Sequence, residues 1–155
     1  MGFTEITMND NSSFWIVGLI LSIFGAILIF LPWFDVKLLI ASASYDAFDM
    51  AFGDPFQSGG VFENFDPIGK FCPLLFGLIS LINIALFIKA KDGNYSRLIL
   101  LTSVLMIILP IYVCICINPG SGVGWARDPG IAIYIGIVLG IASMIIGHLG
   151  SRANA

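Results

Sequence analysis

The sequence has 155 residues and a formal net charge of −3, and it is 58% hydrophobic but only 11% charged. Soluble domains carry roughly a quarter charged residues. The composition therefore excludes an ordinary water-soluble protein and predicts a chain whose main solvent is the lipid bilayer.

Four apolar segments are long enough to cross a membrane, since about 20 mostly apolar helical residues span a hydrocarbon core of about 30 Å. The segments cover residues 14–32, 71–89, 98–117 and 130–149. Lipid offers no partners to backbone N–H and C=O groups, so each segment must form a helix. We predict an all-α membrane protein in which four transmembrane helices form a bundle, with residues 1–155 making a single integral membrane domain.

The first segment does not match a cleavable signal sequence. Residues 1–13 contain two acids and no Lys or Arg, and the apolar run ends in FLPW at 30–33 rather than in small residues. We expect the helix to be retained and to begin at the polar residues 9–13, whose side chains suit an N-cap. We expect Trp33 to lie in the headgroup belt at the other end of this helix.

The charges that flank the spans indicate the orientation. Lys89, Lys91, Arg97 and Arg152 lie on one side, and Lys37, Lys70 and Arg127 lie on the other. The second side also carries the long connection 33–69, which contains six acids. From the positive-inside rule we predict a multi-pass protein of the cell membrane with both termini in the cytoplasm. The connection 33–69 is then an extracytoplasmic outer loop.

The outer loop has a pattern that predicts short secondary structure. Residues 36–45 favour a β-strand, which could pair with part of 50–65. Residues 46–53 favour one amphipathic turn of helix that stops at Gly53. Five phenylalanines follow in the second part of the loop: Phe48, Phe52, Phe56, Phe62 and Phe65. These rings either pack in a small cap on the helix ends and headgroups or form a docking surface for another protein. Calcium binding by the acids is a remote alternative, because the ligand spacing of an EF-hand is absent.

Small residues recur at helical spacing in two of the spans. They are Gly18, Ser22 and Gly25 in the first span, and Ala132, Gly136, Gly140, Ser143 and Gly147 in the fourth. Membrane helices associate through such stripes because small residues let backbones approach closely. The two stripes could pack within one bundle or against a partner subunit.

Prolines mark three further positions. Pro110 lies inside the third span and predicts a kink, because it removes one backbone hydrogen bond. Pro73 and Pro129 suit the first turn of a helix, where N–H groups are unpaired in any case.

Few polar groups lie in the spans. The strongest are Asn83, Thr102 and Ser103, for which we expect hydrogen bonds across the hairpin of the second and third spans. The single histidine, His148, is expected at a membrane interface. Its neighbours in the sequence include no second metal ligand, so we predict no metal site, no catalytic set and no cofactor.

The three cysteines permit one geometric hypothesis. If the second and third spans form a hairpin centred near Asn94, Cys72 and Cys116 are equally distant from the turn and lie at similar depth. A Cys72–Cys116 disulfide would then be possible at the outer surface, with Cys72–Cys114 as a second pairing. Three buried thiols are the alternative.

The layout resembles that of the claudin and PMP22 type of four-span protein, with Pro32-Trp33 after the first span, a long first outer loop and a short second one. The claudin signature of Gly-Leu-Trp followed by two cysteines is absent from 33–69. In LPWF, SYDAFDMAFG and PGIAIYIGIVLGIASMIIG the chain also resembles small prokaryotic four-span membrane proteins of no established activity. The resemblance implies an architecture and no catalytic residues.

These observations predict a non-enzymatic membrane protein that acts as a structural or interaction subunit, within a larger complex. The expected partners are membrane lipids and other membrane subunits or a second copy of the chain, and no nucleic acid. A small oligomeric pore or solute carrier is the main alternative. An enzyme that uses Cys72 and Cys116 in thiol exchange with a lipid quinone is a lesser one.

Overall fold

A computed structural model describes residues 2–52, 67–90 and 95–153, with 2–12, 125 and 151–153 described by their backbone alone. Five α-helices and four strands follow one another along these residues. They are α1 (Gly2–Ile27), β1 (Phe34–Leu38), β2 (Ser42–Tyr45), α2 (Ala47–Phe52), α3 (Pro67–Lys89), α4 (Ser96–Ile117), β3 (Gly120–Gly122), β4 (Trp125–Pro129) and α5 (Ile131–Ala153). A 3₁₀ turn at Leu28–Phe30 follows α1.

Four of these helices contain segments long and apolar enough to cross a membrane, which confirms the four predicted helices. The segments are Ser13–Phe30, Pro67–Lys89, Ser96–Ile117 and Ile131–Gly150. Helix α1 packs against α3 and α5, and α4 packs against α3 and α5. The four long helices therefore form a closed ring in which each one has two neighbours.

Several predicted boundaries are wrong. Residues 9–13 do not start a helix, because α1 already begins at Gly2 and no proline interrupts it. Helix α3 begins at Pro67, so Pro73 lies inside the helix, where it removes the bond to the carbonyl of Gly69. Pro129 ends strand β4 instead of opening a helix.

The outer connections together build a four-stranded antiparallel sheet of order β2-β1-β4-β3. Strand β1 alternates as a half-buried strand should, with Phe34 and Val36 buried while Lys37 is exposed. The predicted strand at 36–45 is in fact a hairpin that turns at 39–41, and its first strand, β1, pairs with β2 and β4. Of the predicted partner segment 50–65, residues 50–52 belong to α2 and the rest lies outside the described residues. Strands β3 and β4 were not predicted.

Trp33 anchors the sheet to the bundle. Its side chain is 0% exposed, and its ring meets the edge of Phe76 at a centroid distance of 5.4 Å. The indole N–H donates to the carbonyl of Leu28 at 2.9 Å, and the backbone N–H donates to the carbonyl of Tyr45 at 2.8 Å. Trp33 is therefore buried within the protein, and its depth in the membrane stays a prediction. The ring can be buried because the carbonyl of Leu28, which also accepts the N–H of Leu31 at 3.0 Å, accepts the indole N–H with its second lone pair.

The same segment caps helix α5. The carbonyl of Trp33 accepts a hydrogen bond from the N–H of Gly130 at 3.0 Å, and the carbonyl of Pro32 accepts one from Ala132 at 2.9 Å. These N–H groups belong to the first turn of α5, where no helical carbonyl is available. A Cβ on Gly130 would overlap the Pro32 carbonyl oxygen, so this close approach requires glycine.

The small residues of the first stripe face helix α3. A Cβ added to Gly18 would overlap the ring of Phe87, and one added to Gly25 would lie 2.5 Å from the Ser80 hydroxyl oxygen. Ser22, between them, is fully buried and donates to the carbonyl of Gly18 at 2.8 Å. This stripe is therefore occupied by contacts within the chain.

The second stripe faces helix α4. A Cβ added to Gly136 would lie 3.2 Å from the ring of Pro110, and one added to Gly147 would lie 2.6 Å from Ile99. At Gly140 it would lie 2.8 Å from Ile107 Cγ1 and 3.0 Å from the Ile107 backbone nitrogen. The backbones of α4 and α5 are thus closest where Pro110 deprives α4 of a helical hydrogen bond.

We predict that Gly140→Ala lowers the free energy of unfolding by about 1–2 kcal/mol. The overpacked methyl group must push α5 from the α4 backbone, and the better helix propensity of alanine offsets only part of this cost. Unfolding of the purified protein in mild detergent measures the change. Ala85→Leu adds bulk at an exposed position of α3 and should stay within about 0.5 kcal/mol. Equal effects of the two substitutions would contradict the close contact.

Candidate functional site

The two hairpin turns of the sheet lie together at one end. Strands β1 and β4 are antiparallel and pair Leu38 with Trp125, so the turns at 39–41 and 123–124 project from the same edge. A Cβ added to Gly124, whose φ is +80°, would lie 3.7 Å from Leu39 Cδ1, which places the turns in contact. We call the four apolar residues of these turns, Leu38, Leu39, Ile40 and Val123, the tip.

The tip is the most exposed apolar cluster of the sheet. The exposed fractions are 50% for Leu38, 83% for Leu39, 94% for Ile40 and 102% for Val123. Exposed apolar side chains are common when scattered, whereas a contiguous group marks an interaction surface. Strand β1 leaves the bundle at Phe34 and β4 returns to it at Pro129, so the tip lies about 17 Å of strand away from the helix ends.

The aromatic side chains of α2 lie at the other side of the sheet, against the ends of the spans. The ring of Phe48 lies 5.9 Å from that of Phe30, and the ring of Phe52 lies 6.1 Å from that of Phe71. All four rings are partly or largely exposed. This placement favours the cap on the helix ends over the docking surface as the role of Phe48 and Phe52. Phe56, Phe62 and Phe65 lie outside the described residues.

The acids near the sheet have local structural partners. Asp46 and Asp49 form a reciprocal cap of α2, in which the Asp49 N–H donates to Asp46 Oδ1 at 2.9 Å and the Asp46 N–H donates to Asp49 Oδ2 at 3.3 Å. Asp35 accepts a 2.6 Å hydrogen bond from the Ser44 hydroxyl. Among the described residues, no three His, Cys, Asp or Glu side chains are grouped closely enough to hold a metal ion.

A second feature is a layer of buried polar side chains inside the bundle. Its centre is Asn83 of α3, whose amide nitrogen donates to the sulfur of Met106 at 3.1 Å and whose amide oxygen accepts from the Thr102 hydroxyl. The Thr102 hydroxyl oxygen also lies 3.0 Å from the carbonyl oxygens of Leu98 and Ile99. The predicted hydrogen bond across the hairpin is thus present.

The layer extends to all four long helices. Ser22 of α1 lies between the glycines that face Phe87 and Ser80, which places it level with Asn83. Ser143 of α5 lies between Gly140 and Gly147, whose contacts on α4 place it level with Ser103. The hydroxyls of Ser103 and Ser143 are buried, and neither has a hydrogen-bond partner among the described residues. A hydroxyl is both a donor and an acceptor, so two unpaired hydroxyls on neighbouring helices can bind a small polar molecule.

The structure separates the remaining candidate residues. Cys72 is buried near the start of α3, while Cys114 and Cys116 lie half-buried near the end of α4, at the sheet end of the bundle. His148 is exposed at the opposite end. Asn83 contacts residues 102 and 106 of α4, which runs antiparallel to α3. Cys72 lies three turns before Asn83 in α3, so it is level with residues 114–116 of α4. The Cys72–Cys116 disulfide therefore stays a hypothesis.

Sequence reasoning missed the tip. Residues 36–45 contain no Gly, Pro, Asn or Asp to mark the turn at 39–41, and the glycine-rich segment 118–124 has no apolar alternation. One signal was available. A half-buried strand alternates apolar and polar residues, whereas Leu38-Leu39-Ile40 has three apolar residues in succession.

No known family model matches the sequence, and a comparison with curated proteins found no match. The resemblance to claudin and PMP22 proteins therefore stays a prediction about topology.

We predict that Asn83 and Thr102 are energetically coupled. Asn83→Ala should lower the free energy of unfolding by about 1–3 kcal/mol, because buried polar atoms lose a partner. The cycle that combines it with Thr102→Val should give a coupling of about 0.6 kcal/mol, the usual value for hydrogen bonds between membrane helices. Unfolding in mild detergent measures all four proteins, and a coupling of zero would contradict the bond.

Proposed function

We propose that this protein is a non-enzymatic membrane interaction subunit and that it binds its partner through the tip of the sheet. The observation that carries the proposal is the contiguous exposed group of Leu38, Leu39, Ile40 and Val123 beyond the ends of the spans. The partner is the extramembrane part of another membrane subunit or of a second copy of this chain.

The packing of the small residues supports a contact at the tip rather than between spans. Gly18, Gly25, Gly136, Gly140 and Gly147 all approach helices of the same chain. Stripes that are filled within the chain leave no close-packing surface of this kind for a partner helix. Specific association then depends on the sheet, while lipid covers the outward faces of the helices.

The sheet is suited to present a binding surface. Its two central strands come from different connections, and Trp33 and Phe34 hold it on the core. A surface that is fixed before binding loses little conformational entropy on association. A fully buried aliphatic side chain contributes about 1.5–3 kcal/mol, so two or three tip residues are enough to dominate an interface.

We predict that the double substitution Leu39→Ser and Ile40→Ser weakens partner binding at least about tenfold, through the loss of buried apolar area. A photo-crosslinking amino acid at Val123 should give one discrete adduct in native membranes at normal expression, identified by mass spectrometry. The yield of that adduct should fall in the double variant.

The matched control is Phe52→Ser, which removes an equally exposed apolar side chain on the other side of the sheet. It should leave the adduct unchanged. A protein that gives no adduct from Val123 and purifies as a monomer without companions in mild detergent would refute the interaction function.

The proposed orientation places the sheet outside the cell and both termini inside. In a chain whose native cysteines are replaced by alanine, Val123→Cys should react with a membrane-impermeant thiol reagent on intact cells, whereas Lys89→Cys should react only after lysis. Both residues are exposed, at opposite ends of the bundle. The reverse labelling pattern would reverse the topology.

The alternative function, a small oligomeric pore or solute carrier, is favoured by one observation, the buried hydroxyls of Ser103 and Ser143. Liposomes that contain the pure protein distinguish the two functions. Ion flux that rises with protein content and falls when Ser103 and Ser143 are replaced by alanine would favour the pore, and silent liposomes would count against it.

A further inference from the structure

A cavity of about 120 Å³ opens at the end of the bundle opposite the sheet. It lies between the first two turns of α4 and the last turns of α5. Its lining residues are Ser96, Arg97, Leu100, Met144, Gly147 and His148. The lack of a side chain at Gly147 lets α5 approach Ile99 of α4 directly, and Arg97 and His148 flank this contact. The cavity therefore has a cationic and hydrogen-bonding side together with an apolar side.

Among the side chains that the structure describes, no acid balances the charge of the cavity. The acids whose side chains the structure describes are Asp35, Asp46, Asp49 and Asp128, all in or beside the sheet at the other end. Within the same described part of the chain, the one ion pair joins Lys37 to Asp128 at 3.8 Å. Arg97 is an exposed residue that lines the cavity with no described carboxylate against it, an arrangement that suits an external anion.

The position of the cavity, at the ends of two apolar helices, favours the phosphate group of a lipid as the anion. Ser96 opens one span and Gly150 ends another, so the cavity lies at the membrane border. Ser96 and Arg97 are the first two residues of α4, so the positive end of the α4 dipole lies at the cavity as well as the arginine charge. Leu100 and Met144 provide an apolar wall beside the charged group. Cationic pockets between membrane helices at this depth bind phospholipid headgroups.

We propose that this cavity binds a phosphate oxyanion, with Arg97 as the principal ligand and His148 and Ser96 as hydrogen-bonding neighbours. The phosphate is supplied either by an anionic phospholipid, whose glycerol and first methylene groups cover Leu100 and Met144, or by free phosphate from solution. This site is independent of the proposed contact at the tip.

Native mass spectrometry of the full chain in mild detergent tests the site, with phosphatidylglycerol and phosphatidylcholine as probes. Wild type should retain one phosphatidylglycerol in preference to phosphatidylcholine. Arg97→Gln should weaken this retention about tenfold, the usual effect of losing a charge-assisted hydrogen bond. His148→Gln should weaken it less, because glutamine keeps a donor.

The matched control is Lys89→Gln, which removes the same charge from an exposed residue at the same end of the bundle but outside the cavity. At high salt, where attraction between exposed charges is screened, this control should retain the lipid as wild type does. Equal losses in Arg97→Gln and Lys89→Gln would overturn the site in favour of diffuse surface attraction.

Inorganic phosphate, titrated into protein in bilayers of phosphatidylcholine alone and followed by phosphorus NMR, distinguishes the two sources. Broadening of the phosphate signal that disappears in Arg97→Gln supports the site with free phosphate as its ligand. Selective lipid retention without such broadening supports the site with a headgroup as its ligand. If neither probe distinguishes wild type from Arg97→Gln, while both proteins unfold alike, the proposal is wrong.

Discussion

The hydrogen bonds from the first turn of α5 to the carbonyls of Pro32 and Trp33 hold the rest of the structure in register. They join the end of the first span to the start of the last one. Strand β1 begins one residue after this junction, and β4 ends one residue before Gly130, so the junction also fixes which residues of the two strands are paired. Because a shift in register would break these bonds at the buried residues Trp33, Gly130 and Ala132, they oppose slippage of the chain. The sheet, its turns and the tip take their positions from this one contact.

The bundle has an apolar core at each end and a layer of polar side chains between the two cores. At the sheet end, the structure buries large side chains, with Trp33, Phe34, Tyr45 and Phe76 in one continuous core. At the other end, a smaller core around Trp15 and Phe87 closes the bundle. Between them lies the polar layer around Asn83, where hydrogen bonds replace apolar packing and fix the depth of α3 against α4. Such bonds add little stability in a membrane, but they discriminate among alternative alignments of otherwise uniform apolar helices.

The parts of the fold that one physical rule determines could be predicted from the sequence. The four spans follow from composition alone, because lipid forces any long apolar segment into a helix, and Asn83 had to find its partner on the neighbouring span. The sheet depends on long-range pairing, and nothing local in Gly120–Gly122 or Trp125–Pro129 indicates strands. The burial of Trp33 was not predicted, because its amphipathic ring suits a membrane border as well as a core in which a carbonyl can accept its N–H. The candidate surface was missed for the same reason, since it exists only where two distant turns meet.

The central strand pair also determines when the fold can be completed. Residues 34 and 129 are partners in the sheet, yet α3 and α4 separate them along the chain. While the chain is being synthesised, β1 must wait beside the membrane until two more helices have crossed and β4 has emerged. Pairing across such a separation is slow and leaves strand edges exposed in the meantime. The β1–β4 pair can therefore form only after α3 and α4 have been inserted, so a completed sheet indicates that both helices are in place.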